Sequence, residues 1–310
     1  MNKTILIGCD HGNKMIKGSS VIQYNSGFVS TGKQEPIVKN NLLLYNDEYF
    51  SIGQGRFPVI GDKTIDDKFF ILTLPVIAHA IETEGIDGSE IDVFLGTGLP
   101  ISNYSRLKTD FIKYFTRDNI EFVYNDDCEY KVNIKSVFCY PQGYAGFVYG
   151  SYAQYKGVSV ANIWDIGGYT VDCCIVENGI LNIGSSFSIE MGIIKLIQEI
   201  QKSVLNQTGM NISEDQVEML ILGNDVVIFD ESIKSIVETK AEAYTNSLLD
   251  MIAENNFEIK LNPNIIIGGG GLLIRRFIEN NSRVQYVEFL DQYANSKSYK
   301  LLMEQALKKR

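Results

Sequence analysis

Two short segments carry the side chains best placed to do chemistry. Asp10 and Gly12 close the run Thr4-Ile-Leu-Ile-Gly-Cys-Asp10-His-Gly12-Asn13, and Asp165 and Gly167 close Val160-Ala-Asn-Ile-Trp-Asp165-Ile-Gly167. In each, an apolar strand runs into Asp-x-Gly and then into a second apolar stretch. Glycine in such a turn lets amide hydrogens point outward and lets a phosphate come close to the backbone. A carboxylate at the mouth can hold Mg²⁺ through waters that the ion retains. A single Asp-x-Gly is most often only a turn. Two of them, half a chain apart and each behind a buried strand, imply two related halves opening with the same β-hairpin. Such a pair could grip a triphosphate from both sides. A third segment, Ile265-Ile-Ile-Gly268-Gly269-Gly270-Gly271-Leu272, sets four glycines between a strand and a helix. They would lay backbone flat against an adenine or ribose and free helix-start amides for a phosphate; a plain tight connection needs one or two.

These segments need a frame. Extended, aromatic-rich stretches fill residues 20–60, at 21–24, Leu42–Tyr45 and 49–52. Phe69, Leu72, Val76 and Ala80 recur at helical spacing over 66–84, with Pro75 as a kink. A buried strand at 91–95 ends at Gly96-Thr-Gly98. Helical patterns follow at 102–115 and 141–155, with hairpin strands at 121–124 and 130–134 between them. In the second half the pattern predicts helices at 191–208, 232–255, 272–279 and 293–309. Ser213-Glu-Asp-Gln216 carries a capping box, and 264–267 is a short buried strand.

Composition excludes several classes. Asp and Glu outnumber Lys and Arg by 38 to 28, for a net charge of −10, which opposes direct binding to nucleic acid. Lys308, Lys309 and Arg310 read as a solvated helix end. The five cysteines, Cys9, Cys128, Cys139, Cys173 and Cys174, are odd in number and fit neither a zinc knuckle nor a CxxC pair; vicinal Cys173 and Cys174 read as buried thiols. Two histidines are too few for a histidine-rich metal site. Neither a signal-peptide core nor a membrane-length apolar run is present, so a cytoplasmic protein with no membrane partner is expected.

The ordered set Asp10-x-Gly12, Pro141-Gln-Gly143-Tyr-Ala145, Asp165-Ile-Gly-Gly-Tyr-Thr170-Val-Asp172 and the 268–271 glycines resembles the phosphate-1, connect-1, phosphate-2 and adenosine motifs of the actin/Hsp70/sugar-kinase superfamily. Within it the chain is most similar to the ParM/StbA-type bacterial actins, which form plasmid-segregation filaments. Its length leaves no room for an extra substrate domain. Phe138-Cys-Tyr-Pro-Gln-Gly-Tyr-Ala-Gly is similar to their Pro-Glu/Gln-Gly segment. Tyr293-Ala-Asn-Ser-Lys-Ser-Tyr299 resembles the opening of their terminal helix, although Ser296 and Ser298 stand where Arg-Gly is more usual.

The resemblance implies an α/β, actin-like fold with two related lobes, each with a ribonuclease-H-like core, and a nucleotide in the cleft between them. Lobe I would be 1–157, with a small subdomain at about 20–67. Lobe II would be 158–310, with a small subdomain at about 187–260 and the terminal helix 293–309 packing back on lobe I. Asp10 and Asp165 would hold hydrated Mg²⁺. Amides of Gly12, Asn13, Gly167, Gly168 and Thr170 would grip the phosphates, and Gly268, Gly269, Gly270 and Gly271 would face the nucleoside. Gln142 would orient the attacking water; Asp172 would either assist it or hydrogen-bond its own hairpin. Lys17 would reach a phosphate or lie on the surface. Lys195 would contact the nucleoside or form an ordinary i,i+4 pair with Glu199. The implied cofactors are Mg²⁺ and ATP, with GTP left open. The implied function is a nucleotide-dependent filament that moves plasmid or other replicon DNA through a DNA-binding adaptor; a small-molecule kinase or phosphatase of the same superfamily is the alternative.

Overall fold

The computed structural model describes residues 3–86, 90–125, 128–224 and 229–309; Arg310, in the basic C-terminal run, lies outside the described residues. The first strands are β1 (Lys3–His11), β2 (Met15–Gly18), β3 (Ile22–Asn25), β4 (Phe28–Gly32), β5 (Leu42–Tyr45) and β6 (Glu48–Ile52). Then come β7 (Ile91–Leu99), β8 (Arg117–Tyr124), β9 (Glu129–Pro141), β10 (Val160–Ile166) and β11 (Val171–Glu177). The last three are β12 (Ile180–Ile189), β13 (Asn264–Ile267) and β14 (Val287–Phe289). Contacts divide the chain into two compact units, 1–149 with 293–310, and 150–292.

The first unit is built on a nine-stranded sheet in the order β3-β2-β1-β7-β9-β8-β5-β6-β4. β1 pairs antiparallel with β2 and parallel with β7, and β7 pairs parallel with β9. Strands in that central position are covered on both faces, which is why β1 and β7 read as near-continuous apolar runs. One face of β1 carries Ile5, Ile7, Cys9 and His11. It is buried with Phe69, Phe111 and Phe115 from helices Lys68–Ile71 and Ile101–Phe115.

The other face meets the terminal helix Ala294–Lys308, which packs on β1 and β7. Here backbone touches backbone. A Cβ on Gly8 would sit 1.8 Å from the Ser296 carbonyl oxygen, and one on Gly96 2.7 Å from that of Tyr299. Ser296 and Ser298, fully buried, turn their hydroxyls back onto the Tyr293 and Asn295 carbonyls. Small residues with internally satisfied hydroxyls are what so close an approach admits.

The second unit has a five-stranded sheet, β12-β11-β10-β13-β14, with β10 antiparallel to β11 and parallel to β13. Its core joins Trp164, Ile166 and Ile266 to Leu196, Ile197, Ile200, Val237 and Leu248 of helices Ile193–Thr208 and Glu231–Glu254. The capping box of Ser213 and Gln216 is present at the start of helix Glu214–Ile221. Cys173 and Cys174 are both buried, as expected of ordinary thiols, and burial holds both well above the usual thiol range.

Several boundaries differ from the sequence reading. The 66–84 pattern is two helices, Lys68–Ile71 and Leu74–Thr83, because Pro75 starts the second helix, where its missing N–H costs nothing. β7 does not stop at Gly96-Thr-Gly98 but runs through it to Leu99; the glycines mark close approach by the terminal helix instead of a strand end. The 141–155 pattern holds the end of β9 and two short helices, Tyr144–Gly150 and Tyr152–Tyr155. The helix expected at 272–279 begins at Gly269 and breaks at Ile274 into Gly269–Leu273 and Arg275–Glu279.

Gly8→Ala should therefore lower stability by about 3 kcal/mol or more, since neither backbone at the contact can yield cheaply. Gly157, whose Cβ would meet nothing within 4 Å, serves as the control. Gly157→Ala should stay within about 1 kcal/mol of the parent in urea unfolding.

Candidate nucleotide-binding site

Each unit contains one of the two hairpins, and the two share a register. In the first, Asp10 faces Lys17 and His11 faces Ile16 across the ladder. In the second, Asp165 faces Asp172 and Ile166 faces Val171. The carboxylate therefore occupies the same place in both, one residue before the strand ends. Asp10 is 7% exposed and Asp165 2%.

Around Asp10 the first unit gathers cations and an amide. Lys17 stands opposite it and is buried, so the surface alternative for this lysine does not hold. Lys63 donates to the His11 carbonyl and lies 5.0 Å from the Phe69 ring centre. Asn295, in the first turn of the terminal helix, hydrogen-bonds to the carboxylate. Burial pushes the Asp10 carboxyl above its ordinary value, with Lys17, Lys63 and Asn295 pulling the other way.

His11 faces the opposite side of the strand. Thr73 gives its hydroxyl proton to the Phe69 carbonyl at 2.7 Å, so it accepts from His11 Nε2 at 2.8 Å. Nδ1 then accepts from Thr97 Oγ at 3.0 Å, and the ring stacks on Phe115. Burial, then the charge of Lys63, lowers the imidazole to about 3, so it is neutral and structural.

At the first tip, Gly12 and Asn13 are half-buried, and the Gly12 carbonyl accepts from Ser26 Oγ at 2.5 Å. Gln142 lies on the turn after β9: its amide donates to Leu99 O at 2.9 Å, and it too is half-buried. The Gly143 amide next to it donates to Asn295 Oδ1 at 3.1 Å.

At the second tip, the Gly167 amide donates to Thr170 O at 2.9 Å within the turn. That amide, expected to bind phosphate, is engaged within its own turn. The tip carbonyls accept from the start of helix Ile193–Thr208: Tyr169 O from Gly192, Gly167 O from Ile193 and Gly168 O from Ile194. Asp172 accepts from Thr170 Oγ at 2.9 Å and from Ser188 Oγ at 2.6 Å, a hydroxyl on each carboxylate oxygen. This geometry suits a group that holds its hairpin. Lys195 is exposed, as is Glu199 one helical turn on.

The glycine run lies against the same hairpin. Gly268 has φ +91°, and a Cβ there would meet Ile166 O at 2.5 Å and Asp165 Oδ1 at 2.8 Å. Gly270 would meet Ile166 O at 2.7 Å. Part of the run is thus required by packing onto β10, in addition to the nucleotide contacts expected of it. Among the described residues no cluster of three or more His, Cys, Asp or Glu could hold a metal on its own.

Comparison with known proteins fits this layout. A family model described as "Actin like proteins N terminal domain" matches residues 43–144, and one described as "Archaeal actin homologue MreB-like, C-terminal" matches 163–280. A search of curated proteins gave no match. A solved structure of a 15-stranded ParM filament from Clostridium botulinum superposes with TM-score 0.76 at 16% identity, covering 98% of this chain and 100% of that one. The archaeal actin homologue Ta0583 in complex with ADP gives 0.72 at 19%, covering 97% and 99%. Bacillus thuringiensis ParM with AMPPNP gives 0.66 at 17%, covering 98% and 100%. The chain has a ParM-type actin-like fold. Each family model of this actin-like chain falls within one of its two units.

Sequence reasoning missed Lys63, which lies outside every motif in a stretch with no periodicity. It also missed Ser188, Thr73 and Thr97, whose roles exist only once distant segments meet. Gly268→Ala should lower the stability of the second unit by about 2–3 kcal/mol through strain and contact with Ile166. Trp164, the single tryptophan and fully buried in that unit, reports the unfolding by fluorescence. Lys195→Ala should change it by less than about 0.5 kcal/mol.

Proposed function

We propose that this actin-like chain is a filament-forming ATPase that binds Mg-ATP through its two hairpins and polymerises in response. The observation that carries the proposal is the shared register: a buried carboxylate at the same position of both hairpins, each beside a glycine turn. Asp10 and Asp165 would hold hydrated magnesium, an ion that keeps waters and phosphate oxygens among its ligands. Amides of Gly12, Asn13, Gly168 and Thr170 would bind phosphate oxygens, and buried Lys17 would add charge beside them. Held there, the ion would supply positive charge to the phosphoryl group being transferred. Gln142 would orient the attacking water; an amide can fix a water in line without acting as a strong base.

Neighbouring structures support the reading: one is of a ParM filament and another of an actin homologue with ADP. By the same likeness we propose that the filament moves plasmid or other replicon DNA. The net charge of −10 fits contact with that DNA through a basic adaptor protein rather than directly. Among the described residues no helix is long and apolar enough to cross a membrane. The hydroxyls on both Asp172 oxygens make it a poor candidate for the catalytic acid that the kinase or phosphatase alternative would need.

Light scattering and sedimentation with Mg-ATP, Mg-GTP or no nucleotide, with phosphate release in parallel, test the proposal. Pelleting should require nucleotide and a critical concentration, with hydrolysis following assembly. Gln142→Ala should slow phosphate release about 100-fold while filaments still form. A chain that stays monomeric even with a slowly hydrolysed analogue would refute the filament reading.

A further inference from the structure

The Pro141-Gln-Gly143 turn and the Asp10 hairpin are far apart in sequence, and one buried side chain touches both. Asn295 is 2% exposed, at the second residue of the terminal helix. Its carbonyl oxygen accepts from the Gly143 amide at 3.1 Å. With the oxygen so engaged, its NH₂ group is the end that hydrogen-bonds to the Asp10 carboxylate. The helix that carries Asn295 has little freedom, because its backbone lies against Gly8 and Gly96 of β1 and β7. Gly143 has φ +74°, a left-handed turn conformation that the hydrogen bond from its amide to Asn295 helps to fix.

We infer that Asn295 is a positioning residue: its side-chain amide sets the Asp10 carboxylate and the Gln142 turn in one fixed relation. The inference rests on the proposed nucleotide reading and adds to it a structural link between the carboxylate assigned to the ion and the side chain assigned to the water. The two ends of the amide have separable roles. The oxygen end holds the Gly143 turn, and the NH₂ end fixes the carboxylate. A buried amide bridging two such groups acts on geometry, so its loss falls more on the chemical step than on nucleotide affinity.

Two variants separate the ends. Asn295→Ala removes both contacts. Asn295→Asp keeps an oxygen for the Gly143 amide, removes the donor to Asp10 and puts a like charge beside it. Three readouts are taken: hydrogen exchange of residues 142–144 in nucleotide-free protein, binding of nucleotide as a function of Mg²⁺ concentration, and phosphate release.

In Asn295→Ala, exchange of the Gly143 amide should rise about tenfold or more, and kcat should fall about tenfold or more with KM changed far less. In Asn295→Asp, the Gly143 amide should stay protected, while the Mg²⁺ needed for half-saturation changes several-fold. Should Asn295→Ala fail to fold, Asn295→Asp, which preserves size and the turn contact, carries the test by the same two readouts. Parent-like exchange, Mg²⁺ dependence and kcat in the variants would overturn the inference while leaving the nucleotide reading intact. A parent chain that binds no nucleotide would overturn both.

Discussion

A carboxylate buried at the end of a strand is costly unless opposite charge and hydrogen bonds answer it. This chain places one in each of its two units, at the same position of the same hairpin. Around Asp10 the answer comes from three separate segments: Lys17 on the return strand, Lys63 from the stretch before the first helices, and Asn295 from the terminal helix. Burial still outweighs them and leaves the carboxyl harder to ionise than usual. A bound cation would complete that compensation in the function proposed here.

Much of the remaining architecture serves that arrangement. Asn295 can reach Asp10 only because the terminal helix lies on the glycines of β1 and β7, with no side chain between the backbones. On the opposite face of β1, a neutral His11 is clamped between two threonines and Phe115, which fixes the strand end from behind. The second unit uses the same device in another place: Gly268 and Gly270 let the short helix after β13 come down onto β10 beside Asp165. Close backbone approach, made possible by glycine, positions the polar groups in both units.

The hairpins were legible in the sequence because their signal is local: an apolar run, Asp-x-Gly and a second apolar run, stated twice. The capping box at Ser213 and the strand Asn264–Ile267 were legible for the same reason. What stayed hidden depends on contacts between distant segments. Gly96 and Gly98 look like a strand end until the Tyr299 side of the terminal helix is placed against them. Gly268 and Gly270 look like ligand surface alone until Ile166 is found against them. Lys63 has no local pattern at all, and its part appears only where it meets the His11 carbonyl. Pro75 was visible, but helical periodicity on both sides masked that it begins a helix instead of bending one.

In the proposed function, Asp10 and Asp165 would serve one magnesium nucleotide. A double-mutant cycle measures this most directly: Mg-ATP affinity of the parent, Asp10→Ala, Asp165→Ala and the double variant. Groups that act on one ion lose most of their joint effect when either is removed. Each single variant should therefore bind about tenfold or more weakly than the parent, and the double variant should be little weaker than the worse of the two. Losses that multiply independently, or a single variant that binds as the parent does, would contradict the account.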